Sequence, residues 1–319
     1  MNLYFAAMIL AISDPLSDIH LNFSDNLVWV MKLCIAIIMF SVALSMKRED
    51  FSELAKNPKQ VLVGLASQFF LLPFITFLFV LSVEPYAGLA LGMILVASVP
   101  GGNVSNYFTL IGRGNPALSV TMTAIATLAA PILTPLNFSF WGSRIPFANE
   151  LFRSIQLDFW QMFSDVLIML FIPMIIGIVF AQRLPAVTLK IKDKMQGLAL
   201  VILIAFIVVA FSGNYSLFLK HYDNFVYLVF FHNLFAFVSG YFFGFFLTRN
   251  KTVARTISIE TGIQNSGLAL ALLFNPDVFP QDLPIGGMAF IAAWWGVWHI
   301  ISGLTIAGFW SGFSLKSTT

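Results

Sequence analysis

One carboxylate lies deep in an apolar segment, within the stretch Ser258-Ile-Glu-Thr-Gly-Ile-Gln-Asn-Ser-Gly-Leu268. Glu260 is followed by neutral polar side chains, and no Lys or Arg lies within this stretch. A carboxylate at membrane depth costs about 2.5–3.5 kcal/mol and is normally paired or faces a watery cavity. The compensating charge is therefore a cation or a proton from elsewhere, which indicates a transport site. The alternative is a structural Glu that is hydrogen-bonded between helices.

A second polar interruption occurs earlier, in Ser98-Val-Pro-Gly-Gly-Asn-Val-Ser-Asn106. Pro100 removes a backbone donor, and the two glycines that follow favour non-helical angles. The pattern predicts a helix that breaks, with freed backbone groups that protein, ions or water must satisfy. Taken alone it also fits a hinge or a simple kink. It precedes the interruption at Gly262 by about half of the 319-residue chain, which favours two related breaks.

The elements that must hold these stretches are membrane helices. Hydrophobic residues make up 59% of the chain and charged residues only 10%, whereas soluble domains average about 25% charged residues. Apolar runs recur along the whole length, which predicts an all-α polytopic protein in a lipid bilayer. We expect a single integral-membrane domain over residues 1–319. The net charge of +2 points to no nucleic acid, and nothing implies a protein partner.

The hydrophobic runs predict nine full spans after a short apolar segment at Leu3 to Ser13. The predicted spans are 26–46, 59–82, 87–112, 117–142, 161–182, 197–212, 224–247, 257–274 and 285–311, and those at 87–112 and 257–274 are interrupted.

The basic residues predict the orientation. Of the 17 Lys and Arg residues, only Arg144, Arg153 and Lys220 fall in one set of alternate loops, and Lys32 falls in a span. The others fall in the opposite loops and the tail, including a basic loop at Lys190–Lys194. Because cytoplasmic loops carry an excess of Lys and Arg, the C-terminus is predicted to be cytoplasmic.

The two halves of the chain correspond. Gln68 lies in the span before the first break, and His232 and Asn233 lie in the span before the second. A span with several small and hydroxyl residues follows each break. Corresponding spans are five apart and run in opposite directions, which predicts inverted repeats at approximately 1–142 and 161–311. Two broken helices at matching positions of such repeats indicate a secondary-transporter binding site.

The polar groups at the breaks suit an anion and a hard cation. Half-helices that start after Gly102 and Gly262 aim N–H groups at the breaks, and Asn103 and Asn265 can donate hydrogen bonds to the same anion. Glu260 and the carbonyl ends suit a cation that prefers oxygen ligands. The polar groups at the two breaks include no Cys and no cluster of His, which favours sodium over a transition metal. Neutral oxygens come from Gln68, Ser105, Asn106, Ser119, Thr123 and Gln264.

Two motifs resemble those of the bile acid:sodium symporter family. They are Pro100-Gly-Gly-Asn-Val-Ser-Asn106 and Glu260-Thr-Gly-Ile-Gln-Asn-Ser-Gly267, and the likeness extends to Gly114-Asn-Pro-Ala-Leu-Ser119 and to Val297-Trp-His299 in the last span. The resemblance implies two inverted five-helix repeats, about ten spans with a short first one, and a panel and a core domain. In the core, two broken helices cross.

The resemblance also implies two sodium sites and a substrate cleft between core and panel. One sodium site comprises Ser105, Asn106, Ser119, Thr123 and Glu260. The other comprises Gln68, Glu260, Gln264 and the backbone oxygens of Thr261 and Ile263. The cleft involves Gly102, Asn103, Asn265 and His299. From its apolar surroundings alone, His299 is more simply a packed core histidine. Ile300 follows it where some bacterial members have a polar residue, which indicates a more apolar pocket.

These patterns predict a sodium-coupled secondary active symporter that imports an organic anion by alternating access. The anion is bile-acid-like or a small hydroxy-carboxylate, and the location implied is the bacterial inner membrane. The nearest alternative is a proton-coupled carrier with Glu260 as the proton site, and a channel is a further one. An enzyme is not expected, because the sequence has no Gly-x-Ser-x-Gly with a suitably placed His and Asp, no intramembrane Asp pair and no metal-ligand cluster.

Overall fold

The computed structural model describes residues 25–44, 55–155, 159–212, 215–275, 278–279 and 283–312. Within these ranges the protein is helical, and extended backbone pairs at one place, an antiparallel bridge between Gly101 and Gln264. The predicted short first segment, Leu3 to Ser13, lies outside the described residues. An all-α membrane architecture is therefore confirmed for the part of the chain that is described, whereas the inverted repeat and the ten spans stay predictions.

The described helices follow the predicted spans closely. They are α1 (Asp25–Ala43), α2 (Pro58–Val83), α3 (Ala87–Ser98), α4 (Val104–Ile111), α5 (Pro116–Gly142), α6 (Asn149–Ser154), α7 (159–183), α8 (Pro185–Ser212), α9 (Tyr215–Thr248), α10 (Lys251–Gly262), α11 (Ser266–Leu273) and α12 (Gly286–Ser311).

Four helices in the described ranges are long and apolar enough to cross a membrane unaided. They are Pro58–Val83, Pro116–Gly142, Phe225–Thr248 and Gly286–Ser311. A helix of about 20 apolar residues spans the hydrocarbon core, because each residue adds about 1.5 Å. Shorter apolar helices occur at Leu33–Ala43, Ala87–Ser98 and Leu167–Arg183.

Two helices begin well before the spans predicted within them. The helix predicted at 197–212 begins at Pro185, so the basic stretch Lys190–Lys194 lies in α8 and not in a loop. The helix predicted at 224–247 begins at Tyr215, so Lys220 is also helical. Hydropathy reports only the apolar part of a helix, whereas Lys and Leu are both good helix formers. Proline at the first position, as at Pro185, also suits a helix start.

Both predicted breaks are confirmed. α3 ends at Ser98 and α4 begins at Val104, and α10 ends at Gly262 and α11 begins at Ser266. The two unwound segments meet in space, because Gly101 and Gln264 form the antiparallel bridge. Each broken helix therefore satisfies part of the freed backbone of the other.

The helices pack in two groups. α1 packs against α7 and α8, and we call these three the three-helix layer. The helices that carry the breaks pack with α2, α5, α9 and α12, and we call this group the crossing bundle. α3 is almost wholly buried in the bundle and lies against α12. A Cβ atom at Gly92 would lie 2.8 Å from the Cα atom of Met288, so this close approach requires glycine.

A π-helical turn at Ser67–Leu71 interrupts α2. Pro73 follows it and cannot donate the next α-helical hydrogen bond, which accounts for the local widening. Gln68 lies in this turn, and its side chain is fully buried. One such turn, at Leu167–Phe171, also occurs in α7, again just before a proline.

Candidate ion and substrate site

Glu260 lies in the last turn of α10 with none of its surface exposed. Its Oε1 atom accepts hydrogen bonds from Ser105 Oγ at 2.5 Å and from Ser119 Oγ. Its Oε2 atom accepts one from Thr123 Oγ1 at 3.0 Å. Ser119 and Thr123 are one turn apart on α5, so their predicted common face is confirmed. No basic side chain is among these hydrogen-bonding partners in the described chain.

The hydroxyl oxygens of Ser119 and Thr123 lie between Glu260 and Asn106. Ser119 Oγ lies 2.8 Å from Asn106 Oδ1 and is also within bonding distance of Glu260, yet a hydroxyl carries one hydrogen. Thr123 Oγ1 is likewise shared, at 3.4 Å from Asn106 Oδ1 and 3.0 Å from Glu260. Several oxygen atoms therefore lie together around one carboxylate, and a hard cation prefers oxygen ligands, so this residue set fits sodium.

The residues of the second predicted ion site also lie together. Gln68 Nε2 is 3.5 Å from the backbone oxygen of Glu260, and Gln264 Nε2 donates to the backbone oxygen of Thr261 at 2.8 Å. The Oε1 atoms of both glutamines are buried and have no hydrogen-bond partner in the described structure. The backbone oxygen of Ile263 accepts from Gly102 at 2.9 Å. Buried, unpartnered amide oxygens beside backbone carbonyls are a donor set that a hard cation accepts.

Gly101 lets these two residue sets share Glu260. A Cβ atom there would lie 2.5 Å from Gln68 Nε2 and 3.2 Å from Glu260 Oε2. The backbone of the first break therefore passes directly over the carboxylate and the glutamine. Any side chain at this position would push Gln68 and Glu260 out of their places.

The starts of the two half-helices face a common space. Asn103 and Asn265 are the residues that immediately precede α4 and α11. The Oδ1 atom of Asn265 caps α11 by accepting from the backbone N–H of Leu268 at 3.0 Å. Ser266 is only 1% exposed and its Oγ atom has no partner among the described residues. The first turn of α11 thus presents donors to a space that favours negative charge.

That space is a cavity of about 580 Å³ between the three-helix layer and the crossing bundle. All four residues predicted to contact substrate line it, together with Asn106, Thr123 and Gln264 from the two ion sets. No described residue in its wall is a Lys or an Arg. Cavities of about 300–1,000 Å³ with a few convergent polar groups are typical of small-molecule sites. The residues predicted to contact substrate are Gly102, Asn103, Asn265 and His299.

The two core histidines differ. His232 Nε2 lies 2.6 Å from Thr76 Oγ1, and its ring packs on Trp295 with centroids 4.7 Å apart. Because Thr76 donates its hydroxyl hydrogen to Leu72, His232 donates to Thr76 through Nε2. His232 is therefore a packed core histidine. His299 is buried but lines the cavity, and its Nδ1 atom has no partner in the described structure.

Sequence reasoning gave no role to several residues that hold the second break. Asn233 Nδ2 donates to the freed backbone oxygen of Gly262 at 2.7 Å, and Asn233 Oδ1 accepts from Ser302 Oγ at 2.6 Å. Ser67 Oγ lies 2.8 Å from Thr261 Oγ1. The signal was present in the sequence, since Asn233 and Ser302 are polar residues in apolar spans.

Comparison with known proteins identifies a family and several relatives. A model of the sodium bile acid symporter family matches residues 32–221, which includes the first break and ends before the second. An uncharacterized sodium-dependent transporter, YocS of Bacillus subtilis, is 29% identical over 91% of this chain and 86% of its own length. A probable sodium/metabolite cotransporter of Arabidopsis thaliana chloroplasts, BASS5, is 31% identical over 79% of this chain and 61% of its own length.

The mouse P3 protein is 28% identical over 79% of this chain, which covers 52% of that protein. The matches to YocS and BASS5 extend over most of the described helices. The family is one of sodium symporters, and YocS and BASS5 are named as a sodium-dependent transporter and a probable sodium/metabolite cotransporter. The chain belongs to the sodium bile acid symporter family and is a membrane transporter, not an enzyme.

Proposed function

We propose that this protein is a sodium-coupled symporter that imports an organic anion, either bile-acid-like or a small hydroxy-carboxylate. The observation that carries the proposal is the buried carboxylate of Glu260, which only hydroxyl groups contact among its described side-chain partners. Sodium supplies the missing positive charge there. Two ions are expected, one on each side of Glu260, because two oxygen-rich residue sets share it.

Bound sodium also favours the binding of an anion, because the described wall of the cavity contains no Lys or Arg. A negative group at the starts of α4 and α11 is stabilised by the backbone N–H groups and by Asn103 and Asn265. Bound sodium ions next to the cavity add attraction that is strong in a poorly hydrated interior. The anion therefore binds best when the ion sites are filled.

Three residues connect the ion sets with the cavity. Asn106, Thr123 and Gln264 belong to the predicted ion ligands and also line the cavity wall. When sodium fixes their side chains, it also fixes the wall that the anion meets. Sodium and anion affinities should then be reciprocally coupled, by about 1–3 kcal/mol.

Transport follows from motion of the crossing bundle against the three-helix layer. The cavity lies between these two groups, so their relative movement opens it to one side of the membrane and then to the other. Inverted repeats over approximately 1–142 and 161–311 would make the two arrangements nearly equivalent. We place the C-terminus in the cytoplasm and the protein in a bacterial inner membrane, as the loop charges and the likeness to YocS suggest.

The test is anion uptake into proteoliposomes with and without an inward sodium gradient. Taurocholate and pantoate serve as labelled probes, chosen after a thermal-shift screen of organic anions with and without sodium. The proposal predicts sodium-dependent accumulation of at least one probe. Equal uptake in sodium and in choline, at fixed pH, contradicts sodium coupling. Accumulation driven by a pH gradient without sodium would instead favour a proton-coupled carrier with Glu260 as the proton site.

A further inference from the structure

The three-helix layer forms the cavity wall that faces the half-helix ends. Its contribution is mostly apolar, from residues of α1 and α8 such as Ile38, Val42 and Ala199. Two polar residues interrupt this wall, Ser41 on α1 and Gln196 on α8. Neither belongs to the ion sets or to the residues that precede the half-helices.

Ser41 differs from the buried hydroxyl residues that form a hydrogen bond within their own helix. Many of those residues donate to the carbonyl oxygen one turn earlier, as Ser98 does to Ile94 and Thr127 does to Thr123. Ser41 is only 1% exposed and lines the cavity. Its place in this wall allows its hydroxyl group to meet a bound molecule, because a hydroxyl can both donate and accept a hydrogen bond.

Gln196 adds the second polar group of this wall. It lies on α8, which packs against α1, and its amide can both donate and accept hydrogen bonds. Gln196 is an exposed residue and lines the cavity. Ser41 and Gln196 can therefore form hydrogen bonds with a bound molecule in a wall that is otherwise apolar.

We propose that Ser41 and Gln196 determine specificity by hydrogen-bonding a second polar group of the transported anion. This inference rests on the proposed function and adds a substrate feature to it. The negative end meets the starts of α4 and α11, and an aliphatic middle contacts Ile38 and Val42. A hydroxyl, carbonyl or amide group at the far end meets Ser41 and Gln196. The substrate is then a bifunctional anion and not a simple fatty acid.

This arrangement divides recognition between two moving parts. The anionic end is held by the crossing bundle, where sodium acts, and the second polar group is held by the three-helix layer. Changes in Ser41 and Gln196 should therefore alter the choice among anions and leave sodium binding unchanged. A merely structural role of these residues would instead weaken all anions alike.

The experiment uses matched pairs of anions that share a carbon skeleton and differ in hydroxyl groups. The pairs are pantoate with 3,3-dimethylbutanoate, and taurocholate with taurolithocholate. Sodium-dependent uptake is measured for the wild type, Ser41→Ala, Ser41→Thr and Gln196→Ala in proteoliposomes. Ser82→Ala is the control, because Ser82 is exposed and bonds only within its own helix, to Leu78.

We expect the wild type to prefer the hydroxylated member of at least one pair by tenfold or more in kcat/KM. Ser41→Ala and Gln196→Ala should each reduce that preference at least threefold, with the sodium concentration for half-maximal uptake unchanged. Ser41→Thr should restore it, and Ser82→Ala should leave it intact. An unchanged preference in both alanine variants overturns the inference, as does a sodium-dependent wild type that does not discriminate within either pair. Absence of any sodium-dependent uptake by the wild type refutes the proposed function and this inference together.

Discussion

The backbone N–H of Gly102 donates a hydrogen bond to the carbonyl oxygen of Ile263, over 2.9 Å. The backbone N–H of Asn265 returns one to the carbonyl oxygen of Pro100, over 2.8 Å. Two helices that each lose their own hydrogen-bond ladder are thus joined to one another. The joint brings the first break over Glu260 and makes the geometry of both ion sets depend on both halves of the chain.

Gly101→Ala tests this joint. The added methyl group would overlap Gln68 and approach Glu260, and overpacking of a close site costs typically about 1–3 kcal/mol. We expect sodium affinity to fall about tenfold or more, which corresponds to about 1.4 kcal/mol. The measurement is the sodium dependence of the thermal-unfolding midpoint. Gly308→Ala is the matched control, since nothing lies within 4 Å of the position of its Cβ atom. Equal sodium responses in the two variants would show that the close approach is unimportant.

Glu260→Gln removes the charge and preserves the shape. The amide oxygen can still accept hydrogen bonds from Ser105 and Ser119 while the amide NH₂ group donates to Thr123 Oγ1, so we expect the protein to fold and insert. Sodium-driven anion uptake should fall at least a hundredfold, because no carboxylate compensates the ion. Uptake by proteoliposomes with matched protein content is the measurement. Glu150→Gln, at an exposed glutamate in the first turn of α6, should behave as wild type. Wild-type rates in the Glu260 variant would remove this residue from the mechanism.

Gln68→Ala and Gln264→Ala address the second ion set. Each removes a buried amide oxygen that has no partner in the described structure. If two sodium ions bind cooperatively, we expect the Hill coefficient for sodium in uptake to fall from near two toward one. Ser119→Ala, which alters the other set, should lower sodium affinity through different ligands. A Hill coefficient near one in the wild type would argue against two coupled sites.

Asn233→Leu tests a residue that stabilises the second break. It removes the donor to the Gly262 carbonyl and the acceptor for Ser302. A buried polar group left unpaired costs about 1–3 kcal/mol, so we expect a lower unfolding temperature even without sodium. Ser302→Ala is the milder comparison, because Ser302 has further acceptors within its own helix. Unchanged stability of Asn233→Leu would mean that the carbonyl finds another partner.

Much of this architecture could be predicted from residue types. Pro100, Gly101 and Gly102 predict a broken helix because they remove a donor and favour non-helical angles. The i, i+4 spacing of Ser119 and Thr123 predicts a shared face, and both side chains reach Glu260. These are local rules, so a sequence expresses them directly.

The features that escaped prediction depend on contacts between distant segments. Nothing in the local sequence says that Asn233 reaches the Gly262 carbonyl, or that Gly101 pairs with Gln264. The start of α8 at Pro185 was missed for another reason: hydropathy identifies the apolar part of a helix and not its basic extension. The role of Ser41 also needed the structure, since a lone serine in an apolar span gives no sign of a cavity beside it.

The central claim is that the oxygen-rich sets around Glu260 bind sodium. Equilibrium binding of ²²Na⁺ to the purified protein, compared between wild type and Glu260→Gln at fixed pH, tests it most directly. The account predicts saturable binding to the wild type that an excess of unlabelled sodium displaces and potassium does not, and loss of that binding in the variant. Equal ²²Na⁺ binding by both proteins, or none by the wild type, would contradict it.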